Sequence, residues 1–144
     1  MLPIHVRWLK LFKSRGFNVK VFVYFNLHKR VFSVKALEGK DKGRVIGHRT
    51  MLAIDSPTFK VSEAGRQRVV REKRKNVHAG VVGFLTSSYD WTKEDVSWTS
   101  VTYNPYIFKT FVTRIGKPVH TARFARLSIH NGIPFVEAGN AEPC

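Results

Sequence analysis

The sequence predicts an α+β domain: a curved, mainly antiparallel β-sheet of about five to seven strands with one basic helix packed on it. Three observations lead there. Apolar residues alternate with period two from Asn18, a proline-free segment with a capping serine starts at Ser62, and Asn131-Gly132 separates two apolar runs as a hairpin turn should. The organisation is an N-terminal segment over 1–17, one domain over 18–137 and a short flexible tail over 138–144.

Composition sets the frame. At 144 residues, with 43% apolar and 12% aromatic content, the chain is long enough for one core. Its 25 Lys and Arg against 10 Asp and Glu leave a net charge of +15, which opposes compaction unless a polyanion offsets it. Nucleic acid is the first partner this suggests, ahead of an anionic membrane surface or an acidic protein. The single cysteine, Cys144, permits neither an intrachain disulfide nor a cysteine zinc cluster, which fits a reducing compartment. No apolar run approaches the ~20 residues of a membrane span. The N-terminus lacks the apolar core and small-residue cleavage site of a secretory signal.

Ile4, Trp8, Leu11 and Phe12 fall at helical spacing among Arg7, Lys10, Lys13 and Arg15, so residues 1–17 predict a short basic amphipathic helix. Packing or a nucleic-acid arm suits it better than a transit peptide, although no acid precedes Glu38. Gly16 is a natural stop. Val19, Val21, Val23, Phe25 and Leu27 then alternate with Lys20, Phe22, Tyr24, Asn26 and His28 as the clearest strand. Its second face is either a base-stacking platform or a surface covered by a helix. Val31–Leu37 and Arg44–Thr50 complete an antiparallel meander, joined by the turn Gly39-Lys40-Asp41-Lys42-Gly43.

Met51–Ile54 extends or follows the third strand, with Asp55-Ser56-Pro57 expected to break it before Thr58–Val61. The next helix should run from about Glu63 to Lys75, with Ser62 as its cap and Glu63 at the positive end of its dipole. Val77–Leu85 returns to the sheet, its Gly80 and Gly83 placed where a neighbouring backbone or a bulge comes close. Thr86–Ser100 predicts a long surface loop, mixing Tyr89, Trp91 and Trp98 with acids and hydroxyls. Beyond it, Asn104-Pro105 and Ile115-Gly116-Lys117-Pro118 are turns, and Val119–Ile129 pairs with Ile133–Val136.

The candidate site is the basic helix. Arg66, Arg68, Arg71, Lys73, Arg74 and Lys75 share it with one internal acid, Glu72, and guanidinium forks match phosphate oxygens. A solvated charged face with no ligand is the plainer alternative. His78 follows the helix at an Asn76-Val77-His78 corner, where it meets a phosphate, a base or simply a backbone carbonyl. Lys29, Arg30, Arg123 and Arg126 are supporting cations, the last two from a stretch between Asp95 and Glu137 that has no acid. Tyr89, Trp91 and Trp98 are either anchors for a protein partner or pins holding their loop to the body.

The segments NLHKRVFSVKA, GRVIGH, VSEAGRQRVVREKRKNVHAGVVG, YNPYIFKTFV and GKPVHTA together resemble a group of small uncharacterised proteins of tailed bacteriophages, over roughly Asn18 to Ala122. The resemblance implies a phage origin and expression in the cytoplasm of a bacterial host, with packaging in the virion left open. It transfers no catalytic residue.

Catalysis finds little to build on. None of the six histidines pairs at i, i+3 or i, i+4, and no cysteine or carboxylate set completes a metal site, so no metal or cofactor is expected. Acids are scattered, Asp55 with Glu63 or Glu72 being the only combination a metal-dependent nuclease could use. Phosphate-loop, nucleophile-elbow and cysteine-nucleophile patterns are missing. A binding protein is therefore expected in place of an enzyme: a nucleic-acid binder contacting phosphates without base readout. The rivals are a module that redirects a host factor and a structural component of the virion.

Overall fold

The computed structural model describes residues 19–86 and 96–140. The predicted N-terminal helix, Tyr89, Trp91 and the end of the tail lie outside them. Among the described residues eight strands and one helix follow in order: β1 (Lys20–Asn26), β2 (Val31–Ala36), β3 (Val45–Arg49), β4 (Met51–Val61), α1 (Glu63–Glu72), β5 (Ala79–Thr86), β6 (Trp98–Val101), β7 (Phe124–His130) and β8 (Ile133–Gly139). The strands form one sheet in the order β3-β2-β1-β5-β4-β7-β8-β6, and its pairings are antiparallel. This is the predicted sheet-dominated α+β class, with more strands than the five to seven expected.

Alternation explains the layering. Val21 and Val23 of β1, Phe32 and Val34 of β2, Leu52 and Ile54 of β4, Val81 and Leu85 of β5 and Leu127 of β7 all point to one face and are buried. The irregular segment between β6 and β7 adds Phe111, Val119 and Ala122 to the same core. The sheet curls around it. Arg30, in the β1–β2 turn, donates through Nη2 to the Gly132 carbonyl of the β7–β8 turn at 2.8 Å, although β5 and β4 stand between those hairpins in the sheet.

Several local expectations need correction. Asp55-Ser56-Pro57 does not end a strand: β4 runs through it by a bulge between Asp55 and Thr58, with Ser56 at φ +53°. The bulge lets the chain stay paired with β5 while turning sharply, whereas its pairing with β7 ends at Asp55. The predicted loop through Ser100 ends earlier, because Trp98–Val101 pairs with β8 as an edge strand. Val119–Ala122 stays outside the hairpin strand, which begins at Phe124. The hairpin turn itself is as the sequence requires, with Asn131 at φ +53° and Gly132 at φ +77°.

The two glycines of β5 sit where backbone comes close. A Cβ on Gly80 would collide with the Val23 carbonyl oxygen and the Phe22 ring, and one on Gly83, opposite the β4 bulge, would meet Ile54 and the Asp55 carbonyl. On the outer face of β1, Phe22 and Tyr24 are half-buried and stack on each other with ring centroids 5.6 Å apart.

Candidate nucleic-acid interface

The helix is shorter than its charge pattern suggested. Ser62 caps it by accepting from the Gly65 N–H at 3.2 Å, and it ends at Glu72 because Lys73 adopts the left-handed conformation, φ +54° and ψ +34°. There the Lys73 N–H returns to the Val69 carbonyl at 2.8 Å, closing the last turn. The helix proper thus holds three arginines against two glutamates and is not the strongly basic element expected. Lys73, Arg74 and Lys75 leave it as an exposed, irregular run.

α1 meets the sheet along a thin edge, with Val69 its buried residue. Gly65 allows the approach, since a Cβ there would come within 2.7 Å of the His78 Cβ. The Ser62 N–H donates to the His78 carbonyl at 2.7 Å, tying the start of the helix to the start of β5.

The six cations separate into three groups. Arg66 is internal: its Nε and Nη2 donate to the Glu63 carboxylate at 2.9 and 2.8 Å, and Nη1 donates to the Pro105 carbonyl at 2.9 Å. Those bonds, with one from Gln67, hold the Glu63 carboxyl down at about 2. At the helix N-terminus Ser62 Oγ takes the Gly65 N–H, and the negative Glu63 in the first turn disfavours a phosphate there. Arg68 and Arg71 stand 3.6 and 3.8 Å from Glu72 and remain 65% and 71% exposed, pairs too wet to occupy either guanidinium. The side chains of Lys73, Arg74 and Lys75 have no hydrogen bond or ion pair with another described residue.

His78 uses both ring nitrogens. Nδ1 lies 2.9 Å from the Asn76 carbonyl, which can only accept, so Nδ1 carries a proton; Nε2, 2.6 Å from the Tyr103 hydroxyl, accepts from it in the neutral ring. Burial pushes the Tyr103 hydroxyl up to about 12. The two rings also meet edge to face at 5.4 Å. His78 therefore fastens the 76–78 corner to the segment after β6.

The supporting cations are dispersed. Lys29 Nζ lies 3.4 Å from His48 Nε2 beside a buried Ser33 hydroxyl, and Arg30, besides its bond to Gly132, covers the Phe25 ring at 4.9 Å. Arg123 lies over Phe124 at 5.3 Å. Arg126 forms a two-bond pair with Glu137 across β7 and β8, both bonds 2.9 Å, and its guanidinium covers the Trp98 ring at 4.2 Å. Trp98 also rests on Gly139, so it serves the β6 edge. The nuclease combination does not assemble: Asp55 accepts from the Ser56 hydroxyl, Glu63 belongs to Arg66 and Glu72 lies between Arg68 and Arg71. Among the described residues no three His, Cys, Asp or Glu side chains come together as metal ligands.

Sequence reasoning missed a cleft beside the corner. Its volume is about 480 Å³, and Phe25, Leu27, Val77, His78, Tyr103 and Tyr106 line it, with Lys75 at the side. Exposed apolar residues in turns were its only sequence signal, and such residues are too common to single out.

Sheet, helix exit and cleft define a small, sheet-dominated α+β protein with a cationic corner. The chain belongs to the family described as Mycobacterium phage L5 gene 82 protein, which matches residues 15–133. The gene 82 protein of Mycobacterium phage L5 is 44% identical over 100 residues, covering 65% of this chain and 77% of that protein. The resemblance to phage proteins holds, over somewhat more of the chain than 18–122. No solved structure matches. No helix among the described residues is long and apolar enough to cross a membrane.

Proposed function

We propose that this phage protein binds nucleic acid through phosphate contacts, without strong sequence specificity and without catalysing a reaction, inside the infected bacterium. One observation carries the reading: Lys73, Arg74 and Lys75 are consecutive, exposed and unpaired among the described residues, in a chain of net charge +15. Three neighbouring cations with no internal partner repel one another. A phosphate backbone relieves that repulsion and releases its own counterions, which is the main driving force of non-specific binding. Arg68 and Arg71 add to the same surface, because their hold on Glu72 is long and exposed. Arg66, His78 and Arg126 support the scaffold and are not expected to contact phosphate.

A gel-shift titration with duplex DNA, single-stranded DNA and RNA at two salt concentrations tests this. Affinity should fall steeply with salt, and changing Lys73, Arg74 and Lys75 together to glutamine should flatten the slope by roughly 2 to 3 on duplex DNA. Binding that ignores salt, or no binding, would sink the proposal.

A further inference from the structure

The cationic corner does not stand alone, since Lys75, the last of its three cations, lines the cleft described above. Phosphate contact needs only charge; a cleft with apolar and aromatic walls next to that charge can do more. Leu27, Val77 and Tyr106 are 36%, 41% and 58% exposed, an apolar surface that the fold leaves open beside Lys75. At about 480 Å³ the cleft is in the roughly 300–1,000 Å³ range of small-molecule sites.

Its walls are fixed before any ligand arrives. The 103–106 wall is held by Arg66 on the Pro105 carbonyl and by Asn104, whose Oδ1 accepts from the Tyr106 N–H at 3.0 Å. The Asn104 carbonyl also accepts from the N–H groups of Ile107 and Phe108. The 76–78 wall is held by His78, bonded to Asn76 on its own side and to Tyr103 on the other. The amide nitrogens of Asn76 and Asn104 have no partner among the described residues, so both can donate to a ligand edge.

We propose that this cleft receives an unstacked base of a single-stranded nucleic acid, with the adjoining phosphates on Lys73, Arg74 and Lys75. The inference rests on the nucleic-acid reading above and narrows it to single strands. Charge complementarity selects the occupant: an apolar, aromatic cleft with Lys75 in its wall and Lys73 and Arg74 next to it in the chain matches a ring attached to an anionic backbone. A base in a duplex already has both faces stacked and would have to be unpaired first. An uncharged apolar peptide would leave these cations unmatched.

Tyr106→Ala is the decisive variant, because the side chain is largely exposed and its loss should not disturb folding. Anisotropy titrations would use a labelled thymidine 12-mer, the same length of duplex and an abasic 12-mer, each at two salt concentrations. The wild type should prefer the thymidine strand to both others. Y106A should weaken it by roughly five- to a hundredfold, the range for losing one base–aromatic stack, while leaving the salt slope and duplex affinity unchanged. Equal affinity for all three probes, with the salt dependence intact, overturns the cleft proposal and spares the phosphate reading. Absence of binding, or binding indifferent to salt, overturns both. A Y106A change that abolishes a dimer in light scattering but leaves every titration unaltered assigns the cleft to a second copy and overturns it as well.

Discussion

The Tyr103 hydroxyl lies 2.6 Å from Nε2 of His78, 25 residues away in the chain, and this bond joins the end of the helix exit to the segment after β6. It couples the two walls of the cleft. Removing the hydroxyl by Tyr103→Phe leaves a half-buried ring nitrogen without its donor, at a cost of about 1–2 kcal/mol. Urea unfolding at pH 7 should show that loss.

The same hydroxyl sets an alkaline limit. Burial holds it at about 12 in the folded protein against 10.0 when unfolded. The unfolded state therefore loses its proton first. Stability from this group is complete below pH 10 and declines as pH rises toward 12. Y103F should lack that part of the decline, which the difference between the two unfolding curves would isolate.

Glu63 sets an acid counterpart of opposite sign. Its carboxyl is held at about 2, against 4.5 in the open chain, chiefly by the hydrogen bonds from Arg66. Stability from this group is present above pH 4.5 and disappears as pH falls toward 2. Glu63→Gln should flatten the acid limb of a thermal-unfolding series. An unchanged acid limb would mean that the pair contributes nothing to the fold.

Lys73 separates fold from function. A lysine in the left-handed cap is strained, so Lys73→Gly should leave the protein as stable or up to about 1 kcal/mol more stable. On the nucleic-acid reading proposed above it also deletes a phosphate contact. Unfolding midpoint and DNA affinity should therefore move in opposite directions, which general damage cannot produce.

Gly80 tests the close approach of β1 and β5. Alanine there must displace the Val23 carbonyl or the Phe22 ring, an overpacking that costs about 1–3 kcal/mol. Gly47→Ala is the control, with nothing within 4 Å of its Cβ. Chemical denaturation of the pair should show a loss at position 80 and little change at 47.

Much of the fold was legible because its signals are local. Period-two alternation in β1 and β2, Ser62 as a cap, glycines at close approach and Asn131-Gly132 at φ > 0 each follow from the sterics of a few adjacent residues. The β4 bulge and the β6 edge strand were not legible. Pro57 and the polar surroundings of Trp98 argue against strand in isolation, and only pairing with β5, β7 and β8 overrides them.

The sequence by itself determined a strongly basic chain, an antiparallel sheet and a cluster of cations between Ser62 and His78. Only the tertiary structure decided which of those cations are free. Arg66 meets Pro105 because segments far apart in the chain are brought together, as also happens where Arg126 meets Glu137 and Trp98, whereas the side chains of Lys73, Arg74 and Lys75 form no ion pair among the described residues. Charge is written residue by residue; whether a charge is spent inside the fold depends on what folding places within about 4 Å of it.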